Sequence, residues 1–222
     1  MNHRRILSYR WTVFLLALGY SLYMFTVTDR SAFGWQFRFL TIWALTANLI
    51  ASAQMLRLSM GRTKNEWNSF ISMGVVLNVV VVVNYWKLYF ENPASVNSSS
   101  QGIAWFLEYY LHLMGPLLMA LDAFFILGAF RNVPRVLLYA VLLGVAYPLW
   151  SEFVVLPMNS SPAGKVTSGL PYPFLNDMEV TARLTFYGIL NATNFVFVGI
   201  GWLLARGIAA LRQDGIPAVA AD

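Results

Sequence analysis

Apolar residues gather into long runs along this chain, and charged residues are confined mainly to the gaps. Six segments are nearly free of charge: Trp11 to Thr28, Phe39 to Leu56, Trp67 to Trp86, Ile103 to Phe130, Val136 to Met158 and Leu184 to Ala205. Each is near the length of about 20 residues that a helix needs to cross a bilayer core. The pattern predicts an all-α membrane protein, a six-transmembrane helix bundle that occupies residues 1–222 as a single integral membrane domain. The gaps are too short to hold a soluble domain. No internal repeat is visible, since the segments differ in polar content and spacing.

The basic residues orient these spans. With a cytoplasmic N-terminus, the inner ends carry Arg4, Arg5, Arg10, Arg57, Arg62, Lys64, Arg131, Arg135, Arg206 and Arg212, ten in all. The outer ends carry five: Arg30, Arg38, Lys87, Lys165 and Arg183. Short cytoplasmic loops hold the Lys/Arg excess, so both termini are expected inside. Trp11, Trp35, Trp67, Trp86, Trp105 and Trp202 mark the span ends, as interfacial belts do. Arg4 and Arg5 before an apolar run resemble a signal peptide, but no small-x-small cleavage site follows, which reads as an uncleaved anchor. Two sequons, at Asn97 and Asn159, fall in outer loops and would serve only a eukaryotic secretory pathway; a third, at Asn191, lies within a span.

Composition narrows the chemistry. With 58% apolar and 11% charged residues, the chain is neither an ordinary soluble domain nor disordered. The absence of cysteine removes disulfides, thiolate metal sites and a Cys nucleophile. Two histidines, His3 and His112, lie far apart in the chain, so no multi-His metal site is expected, nor any cofactor. The net charge of +5 is spread over four inner loops as an orientation signal, which excludes nucleic acid as a partner.

Ionisable groups inside spans are costly and mark sites. The fourth segment has Glu108, His112 and Asp122, and the fifth has Glu152 near its outer end. Glu108 and His112 are four apart and share a helix face, where a carboxylate can orient an imidazole as a base. An interhelical hydrogen bond is the plainer use of His112. Asp122, about 15 Å further along the axis and turned to another face, reads as a structural buried acid. The second segment carries Thr41, Thr46, Asn48, Ser52 and Gln54. A membrane Thr most often returns its hydroxyl to its own helix. Arg38 is three residues before Thr41 and shares its face. Between Pro157 and Ala182, a Pro- and Gly-rich loop contains Tyr172-Pro173-Phe174-Leu175, too apolar for a solvated tip and expected to pack back over the outer helix ends as a cover.

Four stretches taken together carry a resemblance: Phe39-Leu40-Thr41-Ile42-Trp43, Trp86-Lys87-Leu88-Tyr89-Phe90, the run from His112 to Asp122, and the run from Gly169 to Leu175 with Arg183. Their order and spacing resemble the androgen-induced membrane protein family of integral membrane threonine hydrolases, over most of the chain. The resemblance implies hydrolysis of fatty acid esters of hydroxy fatty acids, with Thr41 as nucleophile and His112 as its partner. It also places Asp122 on the family's carboxylate ten residues after the histidine. Glu108 stands where the family more often has Asn, and Pro116 comes one residue sooner after His112. These departures are those of a diverged, bacterial-type branch, expected in a bacterial plasma membrane rather than the endoplasmic reticulum.

Topology adds a check that does not depend on the resemblance. Thr41 lies just inside the outer end of the second span, and His112 in the first half of the fourth, so both sit in the outer half of the bilayer. The expected chemistry is attack by Thr41 on a lipid ester that reaches it from the bilayer, with His112 as base. Glu108 is a candidate orienting group for His112, and Arg38 and Asn48 are candidate oxyanion donors. The alternative is a non-catalytic membrane protein that binds or moves a small lipid or ion past Asn78, Asn84, Asp122 and Asn194, although no inverted repeat points to a transporter. A third reading is a family member that kept the fold and lost activity.

Overall fold

The computed structural model describes residues 2–96, 104–159 and 169–214. Six long helices make up the fold: α1 (His3–Val27), α2 (Leu40–Ser59), α3 (Asn68–Glu91), α4 (Trp105–Leu127), α5 (Val133–Met158) and α6 (Val180–Asp214). No strand occurs among the described residues. Every one of the six apolar runs becomes a helix. Several extend beyond their runs, because helix geometry continues where the apolar pattern stops: α1 takes in Arg4, Arg5 and Arg10, and α6 continues to Asp214. The sequon at Asn97 and most of the one at Asn159 lie outside the described residues.

Five helices, α1, α3, α4, α5 and α6, are long and apolar enough to cross a membrane. This is an integral membrane protein by that measure. The 20-residue α2 is not among the five, since Thr41, Thr46, Asn48, Ser52 and Gln54 dilute its apolar content. Packing explains how it tolerates them. Helix α2 lies against α1, α3 and α4, and half of its residues are buried. A helix surrounded by protein can satisfy polar side chains that lipid would not. Asn48 and Asn78 exchange reciprocal side-chain hydrogen bonds (3.0 and 2.7 Å) between α2 and α3, and Asn78 Nδ2 also donates to Gly74 O.

Two ion pairs are buried in the bundle. Arg10, counted with the inner-end charges in the sequence reading, is 5% exposed and donates from Nε and Nη2 to both oxygens of the fully buried Asp122 (2.8 and 2.7 Å). Its Nη1 donates to Met55 O and Ser59 Oγ, so one guanidinium joins α1, α2 and α4. At the other end of the bundle, Arg183 on α6 holds both carboxylate oxygens of Glu152 on α5 (2.9 and 3.0 Å).

The connection between α1 and α2 fixes the start of α2. Gly34 at φ +80° and Trp35 at φ +43° turn the chain into a short 3-10 segment, Trp35–Arg38. The C-terminal end of α5 then binds it at several points. Trp150 Nε1 donates to Phe37 O, the Tyr147 hydroxyl donates to Arg38 O, and the Asn159 amide brackets the backbone of Phe33. The segment from Gly169 to Asn176 folds over the same end, as the sequence predicts for it. Leu170 and Leu175 are buried against Tyr187, and Pro173–Asn176 forms one short helical turn.

Candidate functional site

Helix α4 is not a regular α-helix. Its turn Tyr110–Met114 is a π-helix, with the Gly115 N–H donating five residues back to Tyr110 O. Pro116 contributes to this irregularity, because it lacks the N–H that would meet His112 O in an α-helix. The Trp86 indole supplies a donor instead, at 2.9 Å from His112 O. Such single π turns concentrate at functional positions.

His112 sits in the widened turn and is 3% exposed. Its Nδ1 lies 3.1 Å from the backbone carbonyl of Glu108. A carbonyl only accepts, so Nδ1 carries a proton, and in the neutral imidazole Nε2 then keeps its lone pair. Nε2 points to Thr41 Oγ1 at 3.4 Å, across the gap between α4 and α2. The imidazole is also clamped from the side, since the Tyr85 ring from α3 stacks on it with centroids 3.4 Å apart and planes within 3°. Thr41 and His112, 71 residues apart in sequence, are therefore brought within hydrogen-bonding distance.

The supporting candidates are placed differently. Glu108 reaches His112 through its backbone; its carboxylate accepts from the Tyr85 hydroxyl. Asn48 is occupied by Asn78, although both line a narrow crevice beside Thr41. The Arg38 guanidinium lies over the Phe39 ring, 4.9 Å from its centroid, and its Nε and Nη1 have no hydrogen-bond partner among the described residues. Burial pulls its pKa below the usual arginine value, with Asp29 opposing. Asp122 is remote from the pair and held by Arg10, the structural role expected of it.

Four residues that pattern reading does not assign to the site contribute to it: Tyr85, Trp86, Tyr147 and Tyr172. The Tyr172 hydroxyl accepts the Leu40 N–H at 3.0 Å and also meets the Thr41 side chain. Burial raises its pKa, and the hydrogen bonds with Thr41 and Leu40 oppose that rise. One signal for Trp86 was available, since Pro116 falls four residues after His112 and leaves that carbonyl without its helical donor.

Thr41 lines a small apolar cavity walled by Leu40, Val80, Tyr85, Leu88, Tyr147, Tyr172, Phe174 and Leu190 among others. A second small cavity continues between α3, α5 and α6 and shares Leu40, Val80, Tyr147 and Leu190 with the first. Both are lined almost wholly by apolar side chains, and Asn191 and Asn194 stand in the wall of the second. The arrangement offers a hydroxyl, a neutral base and an alkyl-lined space at one point.

The profile of the FAR-17a/AIG1-like protein family matches residues 7–206. The chain belongs to this family. No curated protein and no solved structure gives a significant match. The family match runs from the first turn of α1, past Thr41 and His112, into α6, so the whole frame that carries the pair lies inside it. In this FAR-17a/AIG1-like protein the two residues singled out by the resemblance are also neighbours in space.

Proposed function

We propose that this chain is a membrane-embedded lipid-ester hydrolase in which Thr41 is the nucleophile and His112 the base. The observation that carries the reading is the 3.4 Å approach of Thr41 Oγ1 to an imidazole nitrogen whose lone pair is left free by the backbone bond at Nδ1. Resting geometries of this kind are often long and tighten when substrate is bound. In the first step the Thr41 oxygen bonds to the ester carbonyl carbon while its proton passes to His112 Nε2. The C–O bond to the alcohol then breaks, and the Nε2 proton leaves with the alcohol. A water, deprotonated by the same nitrogen, attacks the acyl–Thr41 ester; the bond from the acyl carbon to Thr41 Oγ1 breaks, Thr41 takes the proton back from Nε2, and the fatty acid leaves.

The apolar cavities support an acyl chain as ligand, and family resemblance supports fatty acid esters of hydroxy fatty acids, drawn laterally from the bilayer. We place the protein in the membrane as one domain of six spans with both termini cytoplasmic, on an excess of basic residues at the inner ends that persists when the buried Arg10 is set aside. Helix α2 crosses as a sheltered sixth span. The residues that would line an ion or lipid path in the non-catalytic reading make internal hydrogen bonds: Asn78 with Asn48, Asn84 with Val80 O, Asn194 with Ala140 O, and Asp122 with Arg10.

The test is hydrolysis of a panel of lipid esters by the purified protein, beside Thr41→Ala and His112→Ala. Native protein is expected to turn over at least one ester and to be labelled by a fluorophosphonate, and both variants to do neither. Undiminished labelling of Thr41→Ala would remove Thr41 as nucleophile. A folded native protein that neither reacts nor hydrolyses would favour the binding or transport reading.

A further inference from the structure

One flank of the bundle carries an open groove of about 940 Å³ between α3 and α5, with the α2–α3 connection at its mouth. That volume lies within the range of about 300–1,000 Å³ usual for ligand sites. The walls change character in order along the helix axes. Lys64, Asn132 and Arg135 stand at the mouth, and Trp67 and Tyr139 follow. Phe70, Leu142 and Leu143 come next, with Trp43 and Ala146 at the far end. On α5 the sequence spacing produces this order directly. Arg135, Tyr139, Leu142 and Ala146 recur at intervals of four, three and four, so they share one helix face. Arg135 to Ala146 covers about 16 Å of the axis, roughly one leaflet of a hydrocarbon core about 30 Å thick.

The charges at the mouth are unequally employed. Arg131 lines it too, but it donates to Glu66, Leu127 O and Gly128 O, and so neutralises the one carboxylate in the described lining. The Lys64 ammonium and the Arg135 guanidinium are exposed and make no hydrogen bond or ion pair among the described residues. Two uncompensated cations, two amphipathic rings and an alkyl-lined trough stand in the order of the phosphate, glycerol backbone and acyl chain of a phospholipid. We propose that this groove binds an anionic phospholipid, its phosphate between Lys64 and Arg135 and one acyl chain laid past Phe70 and Leu142 toward Ala146. A headgroup without a cation of its own leaves the phosphate charge to the protein, whereas choline or ethanolamine would set a third positive charge beside Lys64 and Arg135. Met73 and Leu143 line both this groove and the second internal cavity, and so form the wall that divides the lipid from the space leading to Thr41. The site is separate from the hydrolytic one and does not rest on the reading of Thr41 as nucleophile.

The experiment uses the purified full chain in dodecyl maltoside micelles and an ether-linked phosphatidylglycerol, which an ester hydrolase cannot cleave. Binding is followed by native mass spectrometry and by the rise of the thermal unfolding midpoint across a lipid titration. Native protein is expected to hold this lipid at least about tenfold more tightly than ether-linked phosphatidylcholine. Lys64→Gln with Arg135→Gln should weaken it about 25-fold, roughly fivefold for each basic residue. Leu142→Trp fills the trough, leaves both charges, and should weaken it by about tenfold or more. Arg4→Gln with Arg5→Gln removes the same charge from the exposed start of α1 and should leave the affinity within about threefold of native. Lys64, Arg135 and Leu142 are all exposed, so these variants are expected to fold. Equal affinity for the two lipids, an equal loss in the two double variants, or native affinity in Leu142→Trp overturns the proposal. Displacement of the lipid by equimolar inorganic phosphate would make this a site for small anions and overturns it as well. None of these readouts involves Thr41, so either proposal can fail while the other stands.

Discussion

Glu108→Gln separates two ways of holding the base. If the carboxylate oriented His112, as an acid does in a serine protease triad, replacing it by an amide would cost about 10⁴ in kcat. Here the acceptor of His112 Nδ1 is the Glu108 main-chain oxygen, 3.1 Å away, which the substitution leaves untouched. The carboxylate instead accepts from the Tyr85 hydroxyl, and Tyr85 supports the imidazole by stacking. A Gln side-chain oxygen still accepts that hydroxyl. What is lost is the difference between a charged and a neutral acceptor, about 1 kcal/mol. Even if all of it were felt in the transition state, the rate would drop by only about fivefold. Glu108→Gln is therefore expected to retain at least about a fifth of native kcat and fluorophosphonate labelling rate. The measurement is single-turnover labelling and steady-state hydrolysis of the variant and native protein side by side, with size-exclusion profiles to establish folding. A well-folded Glu108→Gln that has lost more than about 10³ in both would refute the backbone-orientation argument and return the carboxylate to the site.

Three other outcomes follow from the packing. Asp122→Ala leaves the Arg10 guanidinium charged and buried without its carboxylate, and should cost about 3–5 kcal/mol of stability, read as a lowered thermal unfolding midpoint in detergent. The double variant Arg10→Met with Asp122→Leu should recover most of that loss; a double variant as unstable as the single would mean that the cost is lost packing and not unpaired charge. Trp86→Phe removes the donor to His112 O and should cost about 1–3 kcal/mol, partly restored by adding Pro116→Ala, which returns an N–H to that position. By contrast, Arg131→Ala breaks an exposed ion pair with Glu66, a contact worth about 0–1 kcal/mol, and most of any destabilisation should persist in a Glu66→Ala background, because Arg131 also caps Leu127 O and Gly128 O.

The helices were legible because lipid and buried interior impose the same demand, a long run of apolar residues. Their ends were less so. Arg10 read as an inner-end charge because pattern counting cannot see that Asp122, 112 residues later, would meet it inside the bundle. The polar content of α2 looked like an ordinary span with backbone-bonded hydroxyls, and Thr46 does return its hydroxyl to Ile42 O. Thr41 departs from that habit because its partner comes from another helix. The Glu108–His112 spacing located the right turn but the wrong atom. Four-residue spacing places two side chains on one face in an α-helix, whereas the π turn gives the histidine ring its own helix's carbonyl. Tyr172 was visible as part of an apolar cover, but its hydroxyl acquires meaning only from the N–H of Leu40, 132 positions earlier.

The atoms around Thr41 and His112 share a property that the medium explains. An unpaired charge at membrane depth is expensive, and two buried pairs show the usual remedy, Arg10 with Asp122 and Arg183 with Glu152. A carboxylate set directly on His112 would favour the protonated imidazole and so remove the free lone pair that Thr41 needs. A backbone carbonyl orients the ring equally well and carries no net charge. An amide N–H and an indole make further uncharged contacts there, at Tyr172 and at His112 O. Neutral dipoles fixed by helix geometry and aromatic packing do not have to be desolvated when an apolar chain fills the cavity, which is the condition under which an alcohol and an imidazole react fastest with an ester.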